Sequence, residues 1–548
     1  MVMFIGSKRR NHAADAVACG LLAAVSFCLY RDVLRISWTY DDAYLLHLAM
    51  TTRIKQYFWD PGLWHALPGG MFVPLLPVTY EVALAVFGLT SSAWHGSALV
   101  LVFILSAAWY GVLRLWLPVQ FALVGGLLLV LAVPLCSVAA QLMLIHYLES
   151  LILVCASVIL HVYNLRRPSR AAAWLSAGAY FAAMLAKEIA APLILLLALL
   201  PGKDFHRSLK AVVPHGCALL VYLIWRYIML GTLFGGYGWA IERREYLSVL
   251  TSLPRKVLLA CTGPETWTGA LFAALILFGL VAVLRDQPIR ILAIVGVVAL
   301  LAPVIPVSKE FQPRYALPLW VGMTALFATS CNRLQTRRLS AALSVAALLL
   351  ALVCNRQAWA LEYASDARMT AEANAFLKLS GNALLRTPAI PPAALNELNW
   401  LKQEQEQRPS TNGWFYDDLF LCEGGGDGKR VWQYDSNARQ VIEVTQRLPD
   451  LKAAYCGTIR PDSRLSTGFH FRGGTLSWNF GPYGDGSWRV LFEEGAQAFD
   501  VPREGAFRLG DISGMAVRIR YSSPAGWVTY SPVLMLDFAH HRDFEWHR

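Results

Sequence analysis

Two adjacent carboxylates, Asp41 and Asp42, stand in the stretch SWTYDDAYLLHLAM, which follows the first long apolar run of the chain. A carboxylate held in a fixed direction can accept a proton from a hydroxyl, and two carboxylates together can ligate a divalent cation. Such residues more often cap the first turn of a helix, where a negative charge also suits the helix dipole. The two uses are compatible, because a capping carboxylate is also an oriented one.

Charged and polar side chains also stand at the ends of several other apolar segments. They lie in the stretches LIHYLES, LAKEIAAP, IWRYIM and QPRYALPLW and are His146, Glu149, Lys187, Glu188, Arg226, Arg314 and Tyr315. A lysine near a membrane surface can simply extend its ammonium group into water. The acidic Glu188 beside Lys187 weakens that explanation, since charged residues at such depth are expensive and usually functional.

The composition indicates which elements must hold these residues. Of the 548 residues, 56% are hydrophobic and only 16% are charged, with a mean hydropathy of +0.44. Soluble domains carry about 25% charged residues, so this composition is typical of a membrane protein. The net charge of +11 could suggest nucleic acid as a partner. Most basic residues lie between apolar segments, however, where orientation in the bilayer explains them, and we expect no nucleic-acid partner.

Repeated apolar segments predict a mainly α, polytopic membrane helix bundle with about 11 spans. The predicted spans are 13–30, 92–115, 119–135, 146–164, 171–186, 190–200, 211–230, 266–284, 291–307, 316–330 and 339–354. Alternate connections are short and basic, whereas the others are longer, aromatic and of mixed charge. This pattern predicts a cytoplasmic N-terminus, and an odd number of spans then places the C-terminus outside.

The composition changes after residue 354. Segments such as GTLSWNFG, SWRVLFEEG and MAVRIRYSS alternate apolar and polar residues and are separated by Gly, Pro, Asp and Ser, which is typical of strands. We therefore predict a transmembrane domain over 1–354 and an extracytoplasmic α+β domain over 355–548. Cys422 and Cys456 are the two cysteines of this second domain, and an oxidising compartment favours a disulfide between them over two buried thiols.

The motifs within the first 354 residues resemble those of the C-type integral-membrane glycosyltransferases. That superfamily includes protein O-mannosyltransferases, aminoarabinose transferases, oligosaccharyltransferases and arabinofuranosyltransferases. The shared features, in chain order, are an acidic pair in the first outer loop, an interfacial proline helix ending in Phe-Gly, a Lys-Glu near the fifth span and an Arg-Tyr before a late span. Here these are WTYDDAYLLHLA, FVPLLPVTYEVALAVFG, LAKEIAAP and QPRYALPLW. Phe72 and Val73 depart from subfamilies that place a basic residue before the proline helix.

The resemblance implies an enzyme of the bacterial cytoplasmic membrane with an extracytoplasmic active site. Its donor would be a sugar linked to polyprenyl phosphate, and its acceptor a hydroxyl of a lipid, polysaccharide or protein. Asp41 would act as the base, and Asp42 would orient Asp41, the acceptor or a divalent metal. The leaving phosphate needs fixed positive charge, for which Arg314 with Lys187 or Arg226 is the candidate set.

The same resemblance implies a single displacement, and therefore inversion at the anomeric carbon. A phosphate ester is already a good leaving group, so no second carboxyl is needed as general acid, unlike in glycoside hydrolases. The expected further contacts to donor or acceptor are Tyr40, His146, Glu149, Glu188 and Tyr315. The sequence indicates no definite cofactor, and a divalent metal at Asp41 and Asp42 stays open.

Two other classes of function stay open. A transporter or flippase of lipid-linked sugars would need polar residues deep in several spans, and these are scarce in the sequence. A non-catalytic scaffold that binds glycan through its outer domain would tolerate replacement of Asp41, Asp42 and Arg314.

Overall fold

The chain forms two compact units, which we call the helical unit and the C-terminal unit. The helical unit lies within 12–36, 48–233 and 246–366, and the C-terminal unit lies within 37–47 and 367–547. The computed structural model describes residues 12–66, 71–200, 205–233, 246–263, 266–284, 287–301, 305, 311–334, 336–406, 412–460, 464–472, 475–492, 497–508, 514–537 and 544–547.

Helices account for nearly all regular structure up to residue 378. They are α1 (His12–Tyr30), α2 (Asp42–Thr51), α3 (Ile54–Trp59), α4 (Pro61–Ala66), α5 (Leu75–Phe87), α6 (Ser91–Leu113), α7 (Val119–Val130), α8 (Val133–Ala140), α9 (Ile145–Arg166), α10 (Arg170–Ala186), α11 (Leu193–Leu199), α12 (Phe205–Leu230), α13 (Tyr246–Thr262), α14 (Trp267–Leu284), α15 (Gln287–Leu301), α16 (Leu317–Arg333) and α17 (Arg337–Lys378). The predicted proline helix before the second span is observed as α5.

Several of these helices could cross a membrane. Among the described residues, α1, α6, α9, α12 and α17 are long and apolar enough, and the bent pair α7 and α8 would make a sixth span. Each of the eleven predicted spans falls on a helix or a helix pair. The prediction of a mainly helical, multi-pass membrane protein is therefore confirmed, whereas the number of crossings and their orientation stay predictions.

The predicted span 119–135 is broken into α7 and α8, which meet at an angle of 58°. Pro134 lies in the first turn of α8, where its missing N–H is tolerated. In a continuous helix, the residue at position 134 would donate its N–H to the Val130 carbonyl, four residues earlier. Pro134 has no N–H and leaves that carbonyl without its helical donor. The Tyr30 hydroxyl donates to that carbonyl instead, at 2.7 Å. Side chains from other helices thus stabilise the break.

The C-terminal unit contains a mixed sheet and three helices that lie among its strands. The strands β1 (Ala383–Arg386), β2 (Gly413–Phe415), β3 (Arg430–Asp435) and β4 (Gln440–Glu443) lie in the order β2-β1-β3-β4. Helix α18 (Pro392–Glu406) connects β1 to β2, and such a crossover explains why these two strands are parallel. The short helices α19 (Leu419–Cys422) and α20 (Leu448–Cys456) follow, and a disulfide joins Cys422 to Cys456.

Two antiparallel sheets complete the C-terminal unit as a sandwich. Their strands are β5 (Ser466–Arg472), β6 (Thr475–Gly481), β7 (Ser487–Phe492), β8 (Gln497–Val501), β9 (Glu504–Arg508), β10 (Gly514–Ser522), β11 (Val528–Tyr530), β12 (Leu534–Asp537) and β13 (Phe544–His547). The described orders are β13-β5-β6-β9 and β11-β10-β7-β8, with β12 also pairing β10. Phe469 and Phe480 of one sheet share a core with Trp488 and Ile519 of the other. The alternation in the sequence therefore marks the inward faces of both sheets.

A buried ionic network joins the mixed sheet to the sandwich. Asp417, which follows β2, is fully buried and accepts hydrogen bonds from Arg520 at 2.6 Å and from the Tyr530 hydroxyl at 2.7 Å. The mixed sheet and the sandwich both belong to the C-terminal unit. The domain boundary predicted after residue 354 falls inside α17, whose helix is continuous to Lys378, so its position stays a prediction.

Candidate functional site

The acidic pair lies at the start of α2, and its two members have different surroundings. The Asp42 carboxylate is fully buried and accepts hydrogen bonds from the Thr39 backbone N–H at 3.0 Å and from the Thr39 hydroxyl at 3.4 Å. Asp41 is exposed. Asp42 therefore closes the turn that precedes α2, and the Asp41 side chain is exposed.

The spacing of Thr39 and Asp42 is the signal that could have separated the two roles. A threonine followed three residues later by an acid is the pattern of a capping box, in which the acid bonds back to the first backbone N–H. Tyr40 between them adopts a left-handed backbone with φ of 46°, which is unfavourable for a residue other than glycine. The turn that presents Asp41 is therefore held by its hydrogen bonds against a backbone preference.

Residues of the C-terminal unit surround this segment. The Ser37 backbone N–H donates to the Thr370 hydroxyl at 3.0 Å. The His47 ring nitrogen Nδ1 contacts the Glu397 carboxylate, and the ring stacks on Trp400 with centroids 3.9 Å apart. Sequence reasoning missed all of these partners, because they lie more than 300 residues away in the chain.

The cationic candidates lie in the helical unit, and each is buried. Lys187 follows the last residue of α10, where positive charge suits the helix dipole, and is 5% exposed. Its Nζ lies 3.4 Å from Glu188 Oε1, 3.5 Å from Met71 Sδ and 5.4 Å from the centre of the Tyr147 ring. Lys187 is therefore not a surface lysine that extends into water.

Two buried arginines complete the set. Arg226 of α12 is 3% exposed, donates through Nε to the Leu233 carbonyl at 3.2 Å and lies 3.4 Å from the Tyr222 hydroxyl. Arg314 is 8% exposed, and its guanidinium lies 5.2 Å from the centre of the Tyr315 ring. Tyr222 was missed in the sequence, although its position four residues before Arg226 places both on one face of α12.

The structure brings the three cations into one electrostatic neighbourhood. His146 interacts with the charges of both Lys187 and Arg314, and Glu188 interacts with those of both Lys187 and Arg226. These interactions relate five predicted site residues to one another. The five lie at the ends of α9, α10 and α12 and in the turn before α16. We call this group of His146, Lys187, Glu188, Arg226 and Arg314 the cation cluster.

Hydrogen-bonding capacity near the cation cluster is incompletely used. The Thr79 hydroxyl of α5 donates to Glu149 Oε1 at 2.5 Å. Within the described residues, Glu149 Oε2 and Glu188 Oε2 are buried and have no hydrogen-bond partner. Buried polar atoms of this kind call for a ligand, water or ion, and they are what a site for a polar substrate would leave open.

A metal centre made by protein ligands alone is not observed in the part of the chain that the structure describes. No group of three or more His, Cys, Asp or Glu side chains lies close enough to hold an ion there. Asp42 already accepts hydrogen bonds from Thr39. A divalent ion at the acidic pair would therefore draw most of its ligands from water and from a substrate phosphate, which is common for Mg²⁺.

Comparisons with known proteins identify distant structural likenesses. No protein-family model and no curated protein matches the chain. The structure is similar to that of ArnT from Cupriavidus metallidurans in the apo state, with 14% identity over 82% of this chain and 95% of that chain and a TM-score of 0.43. ArnT from the same organism bound to undecaprenyl phosphate matches with 14% identity over 79% and 94% and a TM-score of 0.43.

The oligosaccharyltransferase of Archaeoglobus fulgidus, tethered with an acceptor peptide by a disulfide bond, matches with 12% identity over 68% of this chain and 61% of that chain and a TM-score of 0.39. ArnT, an aminoarabinose transferase, and the oligosaccharyltransferase are both C-type glycosyltransferases, the superfamily that the sequence motifs resemble. At these TM-scores the likeness assigns no activity to the chain.

Proposed function

We propose that the chain is a membrane glycosyltransferase that moves a sugar from a polyprenyl-phosphate donor to an acceptor hydroxyl, on the outer face of the bacterial cytoplasmic membrane. The observation that carries the proposal is the cation cluster. Three buried cations lie in one neighbourhood with Glu188 among them, and a lipid phosphate at the membrane surface is the kind of anion that such a site attracts.

The cation cluster supplies binding and stabilisation of the leaving group. Guanidinium groups pair bidentately with phosphate oxygens, and the low dielectric of a buried site strengthens that attraction. As the bond from the anomeric carbon to the phosphate oxygen breaks, the developing negative charge stays on the phosphate near Arg314 and its neighbours. Such fixed charges act where the transition state needs them and require no general acid.

Asp41 supplies the base in this proposal. The acceptor oxygen bonds to the anomeric carbon, its proton passes to the Asp41 carboxylate, and the polyprenyl phosphate leaves from the opposite face. A single displacement of this kind inverts the anomeric configuration. The exposure of Asp41 fits a base that must meet an incoming acceptor. Asp42, whose carboxylate accepts a hydrogen bond from the Thr39 backbone N–H, orients the backbone that presents Asp41.

The first experiment measures release of polyprenyl phosphate from a panel of synthetic polyprenyl-phosphate sugars by the chain in lipid nanodiscs. We expect Asp41→Asn to lower the release rate by about 10²- to 10⁴-fold, the usual contribution of a general base. Binding of undecaprenyl phosphate should be unchanged. Release at the wild-type rate by Asp41→Asn would exclude this residue as the base.

The second experiment tests the phosphate site directly by the affinity for undecaprenyl phosphate. We expect Arg314→Gln to weaken binding by about 10- to 100-fold, because one charge-assisted hydrogen bond contributes about 1.5–3 kcal/mol. Arg314→Lys is the matched control, since it keeps the charge and loses the bidentate geometry, so its loss should be smaller. Unaltered binding by Arg314→Gln would remove Arg314 from the donor site.

One observation supports a second candidate, a transporter of lipid-linked sugars. His161 of α9 and His215 of α12 are fully buried with ring centres 5.2 Å apart, and His215 Nε2 lies 2.8 Å from the Ser176 hydroxyl of α10. Polar groups inside spans commonly line transport pathways. Movement of a labelled polyprenyl-phosphate sugar across the bilayer without release of polyprenyl phosphate would favour the transporter over the transferase.

A further inference from the structure

We propose that helix α18 positions the acidic pair by holding α2 through the His47–Glu397 pair and the His47–Trp400 stack. This inference rests on the proposed function, since it takes Asp41 as the base. It assigns to the region after residue 366 a role in the transfer reaction itself. Glu397 and Trp400 are positioning residues here, because they act through α2.

The first step is that α2 cannot be expected to hold its shape alone. It has only ten residues, and isolated helices shorter than about 12–15 residues are marginal in water. Its N-terminus is fixed by the bond between Thr39 and Asp42. Tyr40 in the turn before α2 has a left-handed backbone, which is energetically unfavourable for a residue other than glycine. A short helix with a strained entry needs tertiary contacts to keep one orientation.

The second step is that Tyr44 lies between Asp41 and His47 on the surface of α2. The Leu45 backbone N–H donates to the Asp41 carbonyl at 3.0 Å, so helical spacing already applies at Asp41. Residues three apart on a helix are neighbours, and this places Tyr44 between Asp41 and His47. Burial, together with the negative charges of Glu397 and Asp41, raises the pKa of Tyr44 above its ordinary value. The charges of Glu397 and of the proposed base Asp41 therefore both act on Tyr44.

The third step is that the contacts of His47 fix both position and rotation. Its side chain is 32% exposed and that of Glu397 is 20% exposed, so the pair is largely withdrawn from water. The ring planes of His47 and Trp400 are 11° apart, which is a stacked geometry. A directional contact to a carboxylate and a planar contact to an indole leave α2 little freedom to rotate. At the other end of the segment, the bond from Ser37 to Thr370 anchors the entry.

The experiment compares Glu397→Leu, which removes the acceptor for His47, with Glu397→Gln, which keeps an oxygen there. Glu404→Leu is the matched control, because Glu404 is an exposed carboxylate on the same helix. Hydrogen exchange of the backbone amides of residues 42–51 reports on α2 directly. We expect about tenfold faster exchange in Glu397→Leu, and near-wild-type exchange in Glu397→Gln and Glu404→Leu, since loss of about 1.4 kcal/mol is a tenfold change.

The same variants are then assayed for polyprenyl phosphate release and for binding of undecaprenyl phosphate. We expect Glu397→Leu to slow release by about tenfold and to leave binding of undecaprenyl phosphate unchanged, with rescue by Glu397→Gln. A purely structural role would lower both measurements together, as a fraction of unfolded protein would.

The outcomes separate this inference from the proposed function. If Glu397→Leu changes neither the exchange of α2 nor the rate of release, the positioning role of α18 is wrong although the transferase stands. If the wild-type chain releases no polyprenyl phosphate, the transferase is wrong, and the exchange of residues 42–51 still decides whether α18 holds α2.

Discussion

The cation cluster and the acidic pair hold their charges in opposite ways. Lys187, Arg226 and Arg314 are each less than a tenth exposed and are compensated by carboxylate, carbonyl and aromatic groups of the helical unit. Asp41 is exposed, and its backbone carbonyl accepts a hydrogen bond from the Leu45 N–H at 3.0 Å. The two regions belong to different compact units of the chain.

The difference follows from what each region is proposed to do. A site for an anion gains from burial, because a low dielectric strengthens the attraction between fixed cations and phosphate. A base must be reached by the acceptor whose proton it takes, and an exposed carboxylate can be reached. A buried cation cluster and an exposed Asp41 are therefore the arrangement that donor binding and proton transfer respectively require.

The largest effect on stability is expected in the cation cluster. Lys187→Met leaves Glu188 as a buried carboxylate without its closest cation, and we expect it to lower the free energy of unfolding by about 3–5 kcal/mol. The double variant Lys187→Met/Glu188→Gln removes both charges and should recover most of that loss. Thermal unfolding in detergent measures both. Equal losses in the single and double variants would show that burial of the pair does not control stability.

An intermediate effect is expected in the C-terminal unit. The disulfide between Cys422 and Cys456 closes a loop with a sequence separation of 34, and its removal by Cys422→Ser/Cys456→Ser should lower the free energy of unfolding by about 2–4 kcal/mol. Denaturant unfolding followed by hydrogen exchange of 412–460 measures the loss. Binding of undecaprenyl phosphate, which we assign to the helical unit, should stay at the wild-type value. A loss of that binding would show that the disulfide of the C-terminal unit also affects the phosphate site that we assign to the helical unit.

The smallest effect is expected at the buried member of the acidic pair. Asp42→Ala removes the acceptor for the Thr39 backbone N–H and should destabilise α2 by about 1 kcal/mol, whereas Asp42→Asn keeps an acceptor oxygen and should cost less. Hydrogen exchange of 42–51 measures the change. We expect Asp42→Asn to keep polyprenyl phosphate release within tenfold of wild type. A loss as large as that of Asp41→Asn would mean that both carboxylates act in the chemistry.

Much of the fold could be predicted from local patterns. The long apolar segments are observed as helices, and the alternating segments after residue 464 are observed as strands of the sandwich. Both signals repeat within a few residues, so they can be read without knowing the partner of each element. The break at Pro134 was missed, because a proline near a helix start and one inside a helix look alike until the first turn is located.

The site residues stay predictions. Lys187, Arg226 and Arg314 were chosen because charge at the end of an apolar segment is unusual, and each interacts electrostatically with His146 or Glu188. Tyr222, Met71 and Tyr147 were missed, since aromatic and thioether side chains are ordinary inside a helix bundle. Glu397 and Trp400 carried no local signal at all.

The sequence by itself determined the class of protein, the positions of the helices and strands, and the residue types available for chemistry, because hydropathy and periodicity are local properties. Only the tertiary structure decided that Asp42 bonds to Thr39 while Asp41 is exposed, and that residues 37–47 belong to the same compact unit as residues 367–547. The physical reason is that contacts such as Ser37–Thr370 and His47–Glu397 join segments separated by 333 and 350 residues. Such contacts depend on how the whole chain packs, and no short stretch of sequence encodes them.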